Sequence, residues 1–204
     1  MELIGTIVRL QVQRSRLKPG ERGARVYDPA PLLQVDELEI GPRGVVGLHG
    51  GERVADVHHA DHPDSRNGRL RNGLSVLPLA HYRRMRERYG EHLADGAAGE
   101  SLLLDTPGPL TEDDLAGQLL LDTVEGPPLE LSGAAAAPPC VEFSRFALRL
   151  PVGVVDDAVR AALVDLDGGA RGFYLQVAGL GRVRAGARLL RAWPLPHARR
   201  ALRA

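Results

Sequence analysis

A chain of 204 residues with 44% hydrophobic and 25% charged residues has the balance of an ordinary folded protein, long enough to bury a core without disulfides or structural metal. Its 26 basic and 26 acidic residues cancel, which removes any global attraction to nucleic acid or to an anionic membrane, and an aromatic content of 4% argues against a base-stacking surface. A single cysteine, Cys140, excludes an internal disulfide framework and fits a reducing cytoplasm, and no run nears the roughly 20 apolar residues that span a bilayer.

The opening residues Met1-Glu2-Leu3-Ile4-Gly5-Thr6-Ile7-Val8-Arg9 carry no basic head before their apolar stretch, so they read as the start of a strand over 3–12 rather than as a secretion signal. Over 33–40, apolar Leu33, Val35, Leu38 and Ile40 alternate with Asp36, Glu37 and Glu39, and the one-residue slip predicts a bulged strand. Gly41-Pro42-Arg43-Gly44 then turns the chain. Residues 50–73 have few apolar anchors and read as a long polar loop, of the kind that is functional or mobile. Leu79, Tyr82, Met85 and Tyr89 recur at three- and four-residue steps, which predicts a helix over 79–89. Short strands follow over 101–105 and 118–123, with the first turn of a helix at Thr111-Glu112-Asp113-Asp114 between them. Further strands are expected over 129–132, 140–148, 172–177 and 188–193, and a second helix over 154–166. The sum is a mainly β protein with helical insertions, a closed or partly open β-barrel forming one domain over 1–193, followed by a loose basic tail over 194–204.

Charge is uneven along the chain. No Lys or Arg occurs from Tyr89 to Ser144, and no Asp or Glu from Gly168 onward. Two readings stand: solvated faces of one domain that attract each other, or a basic rim that receives an anionic ligand. Lys18 is the sole lysine beside 25 arginines, and its setting in Arg14-Ser15-Arg16-Leu17-Lys18-Pro19-Gly20 keeps it in water. That argues against independent pyridoxal phosphate chemistry, which needs a lysine for its Schiff base. No phosphate-binding Walker loop, dinucleotide fingerprint, G-x-S-x-G elbow or H-E-x-x-H pair is present.

Four places could carry chemistry. In Pro138-Pro139-Cys140-Val141-Glu142-Phe143 the prolines hold an extended entry, which would place the thiol at a strand edge or barrel mouth. Cys140 is either a small buried hydrophobe or, beside a cation such as Arg145, Arg171 or a histidine, a thiolate reagent. Asp56-Val57-His58-His59-Ala60-Asp61-His62, followed by Arg66, Arg69 and Arg71, is either a solvated loop or a cluster able to hold a divalent metal, although it matches no standard zinc spacing. Ala98-Gly99-Glu100-Ser101 is a glycine turn that presents a glutamate just before a strand. Arg171, before Gly172-Phe173-Tyr174, stands at a strand entrance, where its guanidinium can grip a phosphate bidentately or simply face solvent.

The order of these features resembles the MOSC domain, the family named for the C-terminal part of molybdenum cofactor sulfurase. Its sequence of Gly-Asp-x-His, an Arg-bearing segment, Gly-Glu-Asn, Pro-Cys and a late Arg-Gly strand followed by Gly-Asp is paralleled by Ala55-Asp56-Val57-His58, Arg71-Asn72, Gly99-Glu100-Ser101, Pro139-Cys140, and Arg171-Gly172 with Gly186-Ala187. The likeness runs over 30–193. Gly47-Leu48-His49 is a second candidate for the first motif, and Ser101 and Ala187 depart from the family's Asn and Asp. The resemblance implies a strand-rich barrel that binds molybdenum cofactor, carries sulfur as a persulfide on Cys140, or reduces N-hydroxylated compounds with Cys140 as a molybdenum ligand. It makes the protein a candidate sulfurtransferase or molybdenum-dependent oxidoreductase, with a cysteine desulfurase or a molybdoenzyme as partner and neither nucleic acid nor membrane. Arg71 and Arg171, helped by Arg66 and Arg69, would hold the cofactor's phosphate, with Asp56, His58 and Glu100 organising loops or handling protons. The alternative is a binding module that kept the barrel and lost the chemistry.

Overall fold

The computed structural model describes residues 1–65, 67 and 73–192, and its longest strand, β1 (Glu2–Gln13), is the spine of the architecture. Ile4, Ile7, Leu10 and Val12 of β1 are buried, and register shifts after Leu3 and Ile7 bend the strand so that it can serve several partners. One side pairs with β12 (Arg188–Arg191), the other with β7 (Leu102–Asp105), and its far end pairs with β2 (Leu32–Gln34). Between β12 and β7 the sheet continues through β8 (Leu119–Leu121), β9 (Leu129–Ala136), β10 (Phe173–Ala178) and β6 (Leu74–Pro78), and the β1–β12 pairing closes seven strands into a barrel with β2 outside it. Closure leaves β1 and β12 without a free edge along their paired residues. All barrel pairings are antiparallel except β6–β7, which the helix α1 (Leu79–Tyr89) connects as a parallel crossover. A four-stranded sheet, β11 (Gly181–Arg184), β3 (Glu37–Gly41), β4 (Gly44–His49) and β5 (Glu52–Ala55), lies beside the barrel.

Two apolar clusters hold these parts. The first fills the barrel and the space under the small sheet, with Ile7, Leu10, Leu38, Ile40, Leu74 and Phe173 all almost fully buried. The second lies outside the barrel wall, where Leu77 and Leu103 meet Tyr82 and Met85 of α1 and Phe143 and Ala147 of a further helix, α2 (Val141–Leu148). The remaining helix, α3 (Asp157–Asp165), packs on α2. Tyr27 is a buried member of this second cluster and Cys140 packs against it, so the layer between barrel and helices positions the candidate chemistry.

The mainly β barrel with helical insertions is the observed fold, and α1 occupies the predicted span. Several local expectations are corrected. The strand expected over 140–148 is helix α2. Phe143 and Ala147 are four residues apart and both fully buried, so docking against Leu77 and Leu103 prevails over the strand-favouring aromatic residues. The strand expected over 33–40 is not one bulged strand but β2 and β3, and the slip at Val35 marks where the chain leaves β1 for β4. The polar stretch 50–73 opens with β5, which extends the β4 hairpin. Thr111-Glu112-Asp113-Asp114 leads only into a single 3-10 turn, Asp113–Leu115, with Thr111 N–H and Oγ1 both bonded to Asp114 Oδ2. The helix expected over 154–166 starts later, where Asp156 caps it by accepting a bond of 2.9 Å from Val159 N. The tail 194–204 and Arg66, Arg69 and Arg71 lie outside the described residues. Among the described residues no helix is long and apolar enough to cross a membrane.

The uneven charge is absorbed within the fold. Arg182 and Arg184 pair with Glu37, Arg188 with Asp122, and Arg191 with Glu2, which ties the basic last strands to acidic partners elsewhere in the chain. Such exposed pairs are each worth about 0–1 kcal/mol and hold no ligand by themselves.

One backbone position is under strict demand. Gly172 enters β10 with a φ of 91°, and a Cβ there would stand 2.4 Å from the Val76 carbonyl of β6. Gly172→Ala therefore combines left-handed strain with a clash. It is expected to lower the unfolding free energy by about 2 kcal/mol, read as a fall in denaturant midpoint with an unchanged slope.

Candidate functional site

A cavity of about 460 Å³ opens between the barrel wall and the helical layer. Its walls come from the segment after β1 (Arg16, Lys18, Arg25, Tyr27), the turn before β7 (Ala98, Gly99, Glu100), the approach to α2 (Pro138, Pro139, Cys140), and Arg171 with Tyr174 of β10. Gly99 shapes this wall: with φ at 87°, its missing Cβ leaves room for Gln13, whose Nε2 donates to the Gly99 carbonyl at 2.6 Å.

Cys140 is the residue from which α2 starts, with extended backbone angles and no side-chain cap bond. The two prolines before it hold the chain extended up to the helix, so the half-buried thiol stands at the cavity wall rather than on a strand edge. The cation that meets it is Arg171. One guanidinium nitrogen, Nη1, donates to Cys140 Sγ at 3.8 Å, and Nη2 donates to the Ala98 carbonyl at 3.0 Å. The guanidinium lies 4.0 Å from the centre of the Phe143 ring. Its Nε is buried without a partner among the described residues. Arg145, a second cation considered for the thiol, does not line this cavity and donates instead to the Arg25 carbonyl at 3.0 Å.

Glu100 lines the same cavity and is buried. Its Oε2 accepts a bond of 2.9 Å from the Tyr82 hydroxyl, which in turn accepts from Ala98 N at 2.8 Å. Oε1 has no partner among the described residues. Burial raises the Glu100 carboxyl from 4.5 to about 7, against the pull of its own backbone N–H, Tyr82, Arg9 and Arg171. A group with that affinity can hold or release a proton near neutrality. Burial also pushes the Tyr82, Tyr27 and Tyr174 phenols up, so all three stay neutral.

Asp56 and His58 divide in role. His58 lines the cavity, whereas Asp56 is buried behind it. Asp56 Oδ2 accepts from Gln13 N at 2.7 Å, and Oδ1 accepts from His58 N at 2.8 Å and lies 2.9 Å from His58 Nδ1. The carboxylate thus fastens the loop to the end of β1 and orients the imidazole. His59 and His62 spend Nδ1 on the N–H groups of Asp61 and Asp64, and no group of three potential metal ligands occurs among the described residues. The structure therefore brings Cys140, Arg171, Glu100 and His58 around one cavity. Arg16, Lys18, Arg25, Tyr27 and Tyr174 join them unannounced. The basic run 14–20 is visible in the sequence, but only the path of the chain after β1 carries it to the cavity.

No family model matches the sequence, and no curated protein shows significant similarity to it. Solved structures do. The chain superposes on the YuaD protein from Bacillus subtilis with a TM-score of 0.56 at 14% identity, covering 91% of this chain and 93% of that one. A hypothetical protein gives 0.52 at 18% identity, covering 92% and 68%, and YiiM from Escherichia coli 0.50 at 18%, covering 80% and 66%. The fold is of the MOSC type. The similarity lies in the fold alone. Within this MOSC-type barrel the Pro139-Cys140, Gly99-Glu100 and Arg171-Gly172 motifs converge on one cavity, while Gly186 and Ala187 do not line it. They bond instead to Ile7 of β1, where the barrel closes.

Because the fold disfavours the charged form of Glu100, the folded protein binds this proton more tightly than the unfolded chain does. The penalty is absent below the ordinary glutamate value and grows as pH rises through about 7. Between about pH 5 and pH 8 the wild type is expected to lose about 3 kcal/mol relative to Glu100→Gln, measured by denaturant unfolding across that range.

Proposed function

We propose that this MOSC-type protein works through Cys140, as a ligand in a molybdenum cofactor site or as a carrier of sulfur in persulfide form. The observation that carries the reading is the Arg171–Cys140 contact at 3.8 Å on the wall of a cavity that also holds further cations. A thiol is a soft donor, suited to a metal–sulfur centre or to sulfane sulfur, and a fixed guanidinium beside it balances negative charge on the sulfur or on its guest.

The residues present fit the cofactor. Cys140 would supply the soft ligand; Arg171, Arg16, Lys18 and Arg25 would hold its phosphate, as would Arg71 on the sequence reading. The buried, unpartnered Arg171 Nε and Glu100 Oε1 offer one donor and one proton-exchanging acceptor to a polar guest. When bound, the cofactor supplies two-electron redox chemistry, which would make N-hydroxylated compounds a suitable substrate class. Glu100 would give or take the accompanying proton, Tyr82 would fix its orientation, and His58 would be held by Asp56. In the carrier role, the Cys140 sulfur attacks the outer sulfur of a donor persulfide and the donor's thiolate leaves, so a cysteine desulfurase is the partner class.

The alternative, a barrel without chemistry, rested on the changed positions Ser101 and Ala187. Ala187 lies at the barrel closure, away from the cavity, so its change bears on strand closure rather than on the site. The protein is expected to co-purify with molybdenum and pterin, read by elemental analysis and fluorescence, or to acquire a persulfide on incubation with a cysteine desulfurase and cysteine. Cys140→Ser is expected to abolish both, and Arg171→Gln to weaken cofactor retention about tenfold, the loss of one charge-assisted contact. Absence of metal, pterin and persulfide from the wild type would overturn the reading.

A further inference from the structure

A second cavity, of about 300 Å³, lies along α2 and the segment before β2, and Cys140, Arg171 and Glu100 do not line it. Its central feature is Arg145. This residue is only 6% exposed, yet it forms no ion pair among the described residues, and the one hydrogen bond its side chain makes among them runs from Nη2 to the Arg25 carbonyl. An arginine stays charged at any physiological pH, and a buried charge without a counter-charge is costly. Arg86 shows the usual solution in this chain: it is part-buried and paired with Asp95 at 2.7 Å.

The surroundings reinforce the excess of positive charge. Arg149 and Arg25 line the same cavity. Arg149 adopts a left-handed backbone, with φ at 56°, the sole non-glycine residue with positive φ among the described residues. Its Nε donates to His92 Nδ1 at 3.1 Å, and His92 Nε2 lies 3.1 Å from the Phe146 carbonyl. An imidazole that accepts at one nitrogen and donates at the other is neutral, so His92 holds Arg149 in place without adding charge. Glu142 is the only acid on the cavity wall, against three arginines. The remaining wall is apolar. The Tyr27 and Phe146 rings meet at 5.2 Å, and Val26 and Val152, 48% and 46% exposed, stand on the wall as large aliphatic groups open to solvent.

We propose that this cavity is a binding site for a small organic oxyanion, a carboxylate or phosphate head on a flat apolar body, with Arg145 and Arg149 gripping the head and Phe146 and Val152 packing the body. The volume suits a ligand of roughly one ring, at the lower end of small-molecule sites. Arg25 and Tyr27 also line the Cys140 cavity, so the two sites share a wall. The proposal does not depend on what Cys140 does.

Benzoate and phenyl phosphate are the probes, titrated into the full-length protein by calorimetry and followed by thermal shift, with inorganic phosphate as the head-only control and benzyl alcohol as the body-only control. At least one organic anion is expected to bind and raise the melting temperature, and to bind more tightly than either control. Arg145→Met is expected to weaken that binding about tenfold, the loss of one charge-assisted contact, while Cys140→Ser leaves it unchanged. If Arg145→Met does not fold, Arg149→Ala is expected to weaken binding and Glu142→Gln to tighten it. Failure of both probes to bind, binding that these substitutions leave unmoved, or binding lost in Cys140→Ser would overturn the proposal.

Discussion

The guanidinium of Arg171 joins three parts of the chain that are far apart in sequence. It stacks on Phe143 of α2, donates to Ala98 in the turn before β7, and reaches the sulfur of Cys140 from the entrance of β10. Each contact alone is modest. Together they leave the side chain little rotational freedom, so the charge arrives at the thiol already oriented. Gly172 allows this arrangement, since the close approach of β10 to the Val76 carbonyl sets where Arg171 leaves the barrel. The wall of the candidate site is thus fixed by the approach of β10 to β6 on one side and by docking of α2 on the other.

Burial gives the two ionisable partners of this cavity different characters. Glu100 sits deep beneath the turn, and its neutral form is favoured by the apolar cluster around Tyr82. Arg171 cannot lose its proton and instead receives the face of an aromatic ring. A permanent cation and a carboxyl with raised proton affinity thus line one cavity, a difference in character that burial creates and a solvated surface would not.

The many short β-prone segments point to the barrel, and the spacing of Leu79, Tyr82, Met85 and Tyr89 to α1, whereas β1 buries Ile4, Ile7, Leu10 and Val12 at uneven steps because its register shifts. Periodicity failed at 140–148, where the eight residues of α2 are too few for a 3.6-residue period to stand out and the aromatics favour a strand. The linear order of Pro139-Cys140, Gly99-Glu100 and Arg171-Gly172 anticipated residues that do gather around one cavity. Nothing local could reveal that 16–27 folds back over them, or that Tyr82, read as a core residue of α1, would bind the carboxylate of Glu100. Those are properties of tertiary contact between segments 18 or more residues apart.

Cys140 is the N-cap residue of α2 and offers that helix no side-chain hydrogen bond. Serine, threonine, asparagine or aspartate at such a position would satisfy an orphan backbone N–H and strengthen the helix by about 1 kcal/mol. Selection for thermal robustness alone would therefore drift away from sulfur here, and the serine variant that silences the thiol should melt higher than its parent. The helix start at Cys140 therefore draws nothing from its sulfur, and its stability rests on the packing of Phe143 and Ala147.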